Sequence, residues 1–321
     1  MLTSHRAWVW EGSPDPDDLF LIQLPLPELG PGDVLVRNAM IGLNPGDWKA
    51  LECKPAGWRL GHVPGADGAG TIVAVGIGVP NAFIGMRVAY KQSVERSGSF
   101  AEYTAVPVRN LMRLPASVGW IDAASFPTPA LTAWLAMTSL PKHGERLLIS
   151  GTAGSTAHYL IQLAVQSGHS VTIMGNPHDY ARLSGLEAIN QVDGPLSTPW
   201  QHERRFNNVI DLIDAQHARW LLPSLYPQGH LISVVDYPVM HVDPQPGMAV
   251  SFEEVALSAV HNSDDERCWS DLINAGQSML QALGARKLRR DVVREVPFER
   301  LGEHLCALKD GVYSAKVLVS T

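Results

Sequence analysis

Cysteine is scarce: Cys53, Cys268 and Cys306 are the only three in 321 residues, at spacings that match neither a disulfide framework nor a zinc knuckle. They read as reduced packing residues. No apolar run approaches the ~20 residues that cross a bilayer, so membrane insertion is not expected. The opening MLTSHRAWVW is too short an apolar stretch for a secretory signal, which makes the cytoplasm the default compartment. Positive charge is also in deficit. A net charge of -7 offers no general attraction to nucleic acid, and the basic run Arg286, Lys287, Arg289 and Arg290 reads as a solvated surface. None of the twelve histidines forms an H-E-x-x-H pair, and no G-x-S-x-G elbow occurs. These absences remove support from metalloprotease and serine hydrolase readings.

What is present is ordinary globular material, 45% hydrophobic and 18% charged, long enough for about two domains. The first 120 or so residues alternate short apolar runs with Gly and Pro turns, the signature of an antiparallel β domain. Expected strands are Ala7 to Trp10, Asp33 to Ala39, Gly70 to Val75, Arg87 to Tyr90 and Phe100 to Val106. From Ile121 onward, strands alternate with helices, starting with a helix over Ala130 to Ser139. The most informative segment is RLLISGTAGSTAHYLIQLA, Arg146 to Ala164. Leu147 to Ile149 suit a parallel strand buried on both faces, and Gly151, Gly154 and Ala157 are spaced three apart. Such a turn lets a diphosphate approach bare main chain at a helix N-terminus. A plain strand-to-helix turn is the alternative. Val171 to Ile173 complete a βαβ unit, while Ser155 and Thr156 stand where a phosphate loop of the nucleotide-hydrolase type needs Lys and Ser or Thr. Further strands are expected at Asn208 to Leu212 and Leu231 to Val235, with a helix over Ala215 to Leu225 between them. A long helix over Asp264 to Leu283, a helix over Phe298 to Leu308, and strands at Val292 to Val296 and Lys316 to Val319 follow.

Several segments resemble the medium-chain dehydrogenase/reductase family. GLNPGDWKA (Gly42 to Ala50) is similar to the N-P-x-D-W-K segment of its zinc-independent quinone oxidoreductase branch, and HVPGADGAGTIVAVG (His62 to Gly76) to its P-G-x-D-x-x-G-x-V block. GSFAEYTAV, PALTAW and SGTAGSTAHYLIQLA follow in the family's order. The resemblance implies an α/β fold: a Rossmann-type doubly wound parallel sheet over residues 123–263, and a β-rich GroES-like catalytic domain over 1–122 and 264–321. It also implies hydride transfer from NADPH to a small-molecule acceptor, a quinone or an α,β-unsaturated carbonyl, with a homodimer as the expected assembly and neither nucleic acid nor membrane as partner. Zinc-dependent relatives carry Cys near the position of Asn44 and Gly-His-Glu where Gly65-Ala66-Asp67 stands, so no metal is expected.

The resemblance places Asn44 and Asp47 near nicotinamide and substrate, with Trp48 and Lys49 alongside, and Thr132 near the cofactor. Asn44 would hydrogen-bond the acceptor's oxygen. The residues themselves also allow a turn at Asn44-Pro45-Gly46 and, for Thr132, a helix residue bonded to its own backbone. Gly151, Thr152, Ala153, Gly154, Ser155 and Thr156 would form the diphosphate turn, although Ser155 replaces a family glycine. After Met174 the chain has Gly175 and Asn176 in place of the acidic residue that selects NAD, with His178, Tyr180 and Arg182 following. Arg182 would pair with a 2′-phosphate or lie as an exposed helix residue. Ser233 would contact the nicotinamide ribose. An NADPH-binding sensor or structural protein of the same fold with little turnover is the competing reading, motivated by the altered glycine turn; Asp211 to Ala215 also lacks the Gly-Gly that relatives place after the fourth strand.

Overall fold

The computed structural model describes residues 3–140, 144–186, 190–202, 205–234, 249–261, 263 and 265–321. It resolves into two compact units, residues 1–128 with 261–321 and residues 129–260. The elements in chain order are β1 (Ser4–Val9), β2 (Phe20–Pro25), β3 (Asp33–Gly42), α1 (Pro45–Cys53), β4 (Asp67–Val75), β5 (Arg87–Lys91), β6 (Tyr103–Pro107), β7 (Leu111–Arg113), α2 (Trp120–Ser125) and α3 (Pro127–Thr138). They continue as β8 (Arg146–Ser150), α4 (Ser155–Gln166), β9 (Ser170–Gly175), α5 (Pro177–Leu183), β10 (Asn190–Asp193), β11 (Phe206–Asp211), α6 (Ala215–Leu221), β12 (Leu225–Val234), β13 (Ser251–Val255) and α7 (Leu257–His261). The tail holds α8 (Glu266–Gly284), β14 (Val293–Pro297), α9 (Leu301–Lys309) and β15 (Lys316–Ser320).

In the first unit β3 is the spine. It pairs antiparallel with β4, β6 and β15, and the tail strand β14 joins parallel to β15. Val34, Val36, Ile72, Val88, Tyr90 and Val106 pack beneath it, which is where the β-branched residues of the first hundred positions go. The β3–β4 ladder shifts register between Asn38 and Met40, where Asn38 donates to the Ala101 carbonyl (2.7 Å) and accepts from the Tyr90 hydroxyl (2.8 Å). Glycine at position 70 makes that irregularity possible: a Cβ there would stand 2.0 Å from the Arg37 carbonyl oxygen.

The second unit is a six-stranded parallel sheet in the order β10-β9-β8-β11-β12-β13. This is the doubly wound order, in which ligands bind beyond the carboxyl ends of the strands at the reversal between β8 and β11. Leu148, Val209 and Leu231 are wholly buried, as expected of strands covered on both faces.

Elements differ from the sequence expectations where local chemistry is subtler. The helix expected over Ala215 to Leu225 ends at Leu221, because Pro223 removes an N–H and Leu225 already opens β12. The strand expected from Phe100 starts at Tyr103, since Ala101 only bridges to β1. Val235 and Asp264, which bound two other expected elements, lie outside the described residues.

Replacing Gly70 with Ala should destabilise the protein by about 1–3 kcal/mol, because backbone rather than a movable side chain must give way. Chemical denaturation measures it; an unchanged midpoint would contradict the role given to the bulge.

Candidate functional site

In the first unit, polar and charged side chains gather around Asp67, the wholly buried first residue of β4. Its carboxylate accepts from the Asn44 amide (2.9 Å), from the Thr128 hydroxyl (2.7 Å) and from the Thr128 N–H (3.1 Å). The Lys316 ammonium stands 3.6 Å away. Lys316 also donates to Asn44 Oδ1, which fixes the orientation of that amide, since an ammonium can only donate. The two amide hydrogens of Asn44 go to Asp67 (2.9 Å) and to the Gly42 carbonyl (3.3 Å). Glycine at 42 is required by the backbone beside it: a Cβ there would lie 2.3 Å from the Ala124 carbonyl oxygen, and 3.3 Å from Lys316 Cε.

Asn44 is the N-cap of α1, and Pro45 takes the first helical position, where a missing N–H costs nothing. The sequence that reads as a turn is therefore the start of a helix. Asp47, one turn in, accepts from the Asn44 N–H (2.7 Å) and the Ala66 N–H (3.1 Å), tying α1 to the segment before β4. Burial, with Asp67 nearby, pushes the Asp47 carboxyl up to about 7 despite those bonds. Burial likewise lowers Lys316 against the pull of Asp67 and Asp47. Lys91 is the cross-strand partner of Asp67. Lys49 lies in α1 with its ammonium 5.7 Å from the Trp48 ring.

In the second unit, Gly151 follows β8 with φ +86°, and a Cβ there would meet Ile213 Cγ1 and Leu212 Cβ at 3.0 Å each. Leu212 and Ile213 thus make glycine obligatory at 151. At Gly154 a Cβ would meet nothing within 4 Å, so the main chain is bare on that side. Gly154 is the N-cap of the twelve-residue α4 and provides no side-chain cap, while Ser155 and Thr156 begin the helix half-buried. Thr152 is buried and Ala153 exposed. Arg182 reaches the same turn, donating to the Thr152 and Ala153 carbonyls (2.6 Å each). The Tyr180 hydroxyl donates to the Gly175 carbonyl (2.8 Å), and Asn176 accepts from the His178 N–H (3.0 Å), so these three residues shape the loop after β9. Ser233, at the carboxyl end of β12 in register with Asp211, is buried with no partner for its hydroxyl among the described residues. Thr132 is buried within α3. Asp211 is bonded to His217 (2.7 Å), whose Nε2 accepts from the Leu196 N–H (3.0 Å); this pins the loop after β10 and fixes the ring's tautomer. A bare glycine turn, an uncapped helix start and an orphaned buried hydroxyl, all at the carboxyl ends of parallel strands, fit a dinucleotide.

Sequence reasoning brought out Asn44 and Asp47 and passed over Thr128, Lys91 and Lys316. The signal for the lysines was a cation opening or closing an apolar strand with no local partner. Among the described residues, side chains close enough together to hold a metal are Asp15, Asp17 and Cys306, outside this cluster, and exposed acids commonly meet without an ion.

The two units define the class: a GroES-like β domain interrupted by a doubly wound α/β domain. Residues 30–116 match the alcohol dehydrogenase GroES-like domain. A chloroplast envelope quinone oxidoreductase homolog from Arabidopsis thaliana is 30% identical over 233 residues, covering 68% of this chain and 70% of that protein. The trans-enoyl reductase opdC of Penicillium oxalicum is 33% identical over 217 residues, 59% of this chain and 58% of that protein's length. The solved quinone oxidoreductase of Coxiella burnetii, 22% identical, superposes with a TM-score of 0.82 over 99% of both chains. The chain belongs to the medium-chain dehydrogenase/reductase family. No described helix is long and apolar enough to cross a membrane.

Because Asp47 keeps its proton up to about pH 7 in the fold but loses it near 3.8 when unfolded, the folded state binds more protons between those values. Its contribution to stability therefore falls as pH rises through that window. Unfolding free energies measured across it should decline, and Asp47→Asn should flatten the slope; an Asp47→Asn slope equal to wild type would contradict this.

Proposed function

We propose that this protein is an NADPH-dependent, zinc-independent reductase that delivers hydride to a quinone or α,β-unsaturated carbonyl. The observation that carries the reading is the commitment of Asp67: its oxygens face Asn44, Thr128 and Lys316, so the cation of this site is a lysine ammonium. Neither an amide whose oxygen is already held by an ammonium nor the methyl group of Ala66 is a zinc ligand, and the donor set does not fit that metal. Catalysis without a Lewis acid suits acceptors whose conjugation already makes a carbon electrophilic.

Residues 151–156 would hold the diphosphate against bare main chain and the start of α4, with Ser233 and Thr132 contributing hydroxyls further along the cofactor. A reduced nicotinamide supplies the hydride when bound. The absence of a carboxylate at Gly175-Asn176 favours NADPH over NADH, since no charge repels a 2′-phosphate there. Arg182 sits on the diphosphate turn and reinforces the positive end of α4. Asn44 and Asp47 position the site: Asn44 holds the Lys316 ammonium, and Asp47 holds the backbone at residues 44 and 66. Asn44 therefore orients the Lys316 ammonium and has no N–H group left to offer the acceptor's oxygen.

A nucleotide-binding sensor is the second reading, favoured by the packing of Leu212 and Ile213 against the turn. The purified protein should bind NADPH, seen by fluorescence titration, and oxidise it on addition of 9,10-phenanthrenequinone or a small enone; binding without oxidation would select the sensor. Asn44→Ala should lower turnover about tenfold, the order of one charge-assisted hydrogen bond. Full turnover in that variant would contradict the positioning role.

A further inference from the structure

Lys91 ends β5 and is only 6% exposed, yet among the described residues its ammonium makes a single hydrogen bond, to the Gln92 carbonyl (3.1 Å). Although Lys91 is the register partner of Asp67, no carboxylate lies within 4 Å of its nitrogen among the described residues. A buried cation with no carboxylate in contact is costly even though the charge of Asp47 reaches it, and the two spare N–H donors add to that cost. Lys316 illustrates the alternative, for its charge is answered by Asp67.

The neighbourhood of Lys91 repeats the pattern. Gln92 holds the Lys91 ammonium through its main chain and accepts at its side chain from Asn110 Nδ2 (3.4 Å), which in turn meets His261 Nε2 (3.3 Å). Both Asn110 Oδ1 and His261 Nδ1 are buried without partners among the described residues. Burial, with Lys91, Arg109 and Arg96 nearby, pushes His261 down to about 3, so the ring is neutral and its Nδ1–H is a further unspent donor. Of these atoms the spare Lys91 N–H groups and His261 Nδ1–H are donors suited to an oxygen ligand, whereas Asn110 Oδ1 can only accept.

We propose that Lys91 binds a negatively charged oxygen of the acceptor, which makes it a catalytic residue and a determinant of acceptor class. The proposal rests on the reductase reading. That oxygen has two possible sources. One is the enolate formed when hydride adds to the β-carbon of an enone: the C–H bond forms, the alkene π pair shifts toward the carbonyl, and the charge arrives on oxygen. The Lys91 side chain donates hydrogen bonds to that charge, while water protonates the α-carbon. The other source is a carboxylate already carried by the acceptor.

Lys91→Met removes the charge while keeping the aliphatic stem. Its thermal midpoint should match or exceed that of wild type, because an unanswered buried charge is lost; a lysine with a purely structural role would leave a destabilised protein. NADPH binding should be unchanged. With a neutral enone, kcat/KM should fall about 10- to 100-fold if the oxygen is the enolate, the scale of a hydrogen bond to a charged group. Levulinate, a keto-carboxylate with no alkene to reduce, should bind the wild-type protein by ligand-observed NMR about tenfold more tightly than Lys91→Met if the oxygen is a carboxylate, while its neutral methyl ester binds both alike. A loss in either arm supports the site. A variant that matches wild type in both arms, or that unfolds more readily, overturns it. Should the wild-type protein bind levulinate through Lys91 yet reduce nothing, the anion site stands and the reductase reading fails. Should it reduce enones with Lys91→Met equally active and levulinate binding equal, the reverse holds.

Discussion

Asp67 is the constraint around which the first unit is arranged. A carboxylate with no exposure to solvent must have its charge answered on the spot, and three different parts of the chain converge to do so: Asn44 at the head of α1, Thr128 at the head of α3 and Lys316 at the start of β15. The convergence has a structural consequence. It demands that the tail strand return to pair with β3. It also sets the chemistry, because the strongest positive charges next to Asn44 and Asp47 are ammonium groups. Removing either partner of such a pair would leave a buried charge unanswered, which is more costly than the pair itself is favourable.

The second unit obeys a different constraint, the steric one at Gly151. Leu212 and Ile213 pack where a side chain at 151 would lie, so the turn stays left-handed and its main chain stays open beside Gly154. Arg182 clamps the carbonyls of the same turn, and the Asp211–His217 pair holds the neighbouring loop through Leu196. Ser155 and Ala157 stand where the family turn has glycine, and Asp211 to Ala215 lacks the family's Gly-Gly, yet the turn itself is kept.

What was legible in the sequence was local. The run Leu147 to Ile149 and the three-residue spacing that follows announce strand, turn and helix within nineteen residues, and the parallel sheet follows from the alternation of elements. Edge strands such as β2 and the three-residue β7 carry too little alternation to be seen, and Phe20 and Ile22 even face solvent. The start of α1 is hidden because Asn-Pro-Gly serves a turn equally well. The charged cluster is non-local by nature: Lys316 meets Asn44 across 272 positions, and nothing near either residue in sequence says so. The motif resemblance supplied Asn44 and Asp47; only the fold supplies Lys316, Thr128 and the solitary charge of Lys91.

The proposed reductase delivers hydride to the acceptor at a site whose cation is lysine. This is tested with NADPH deuterated at the transferable C4 position, a small enone and protein dialysed against a strong chelator, with the product analysed by NMR. Deuterium is expected at the β-carbon of the saturated product, with a yield unaffected by the chelator. Product lacking that deuterium, or formed only after zinc is restored, would contradict it.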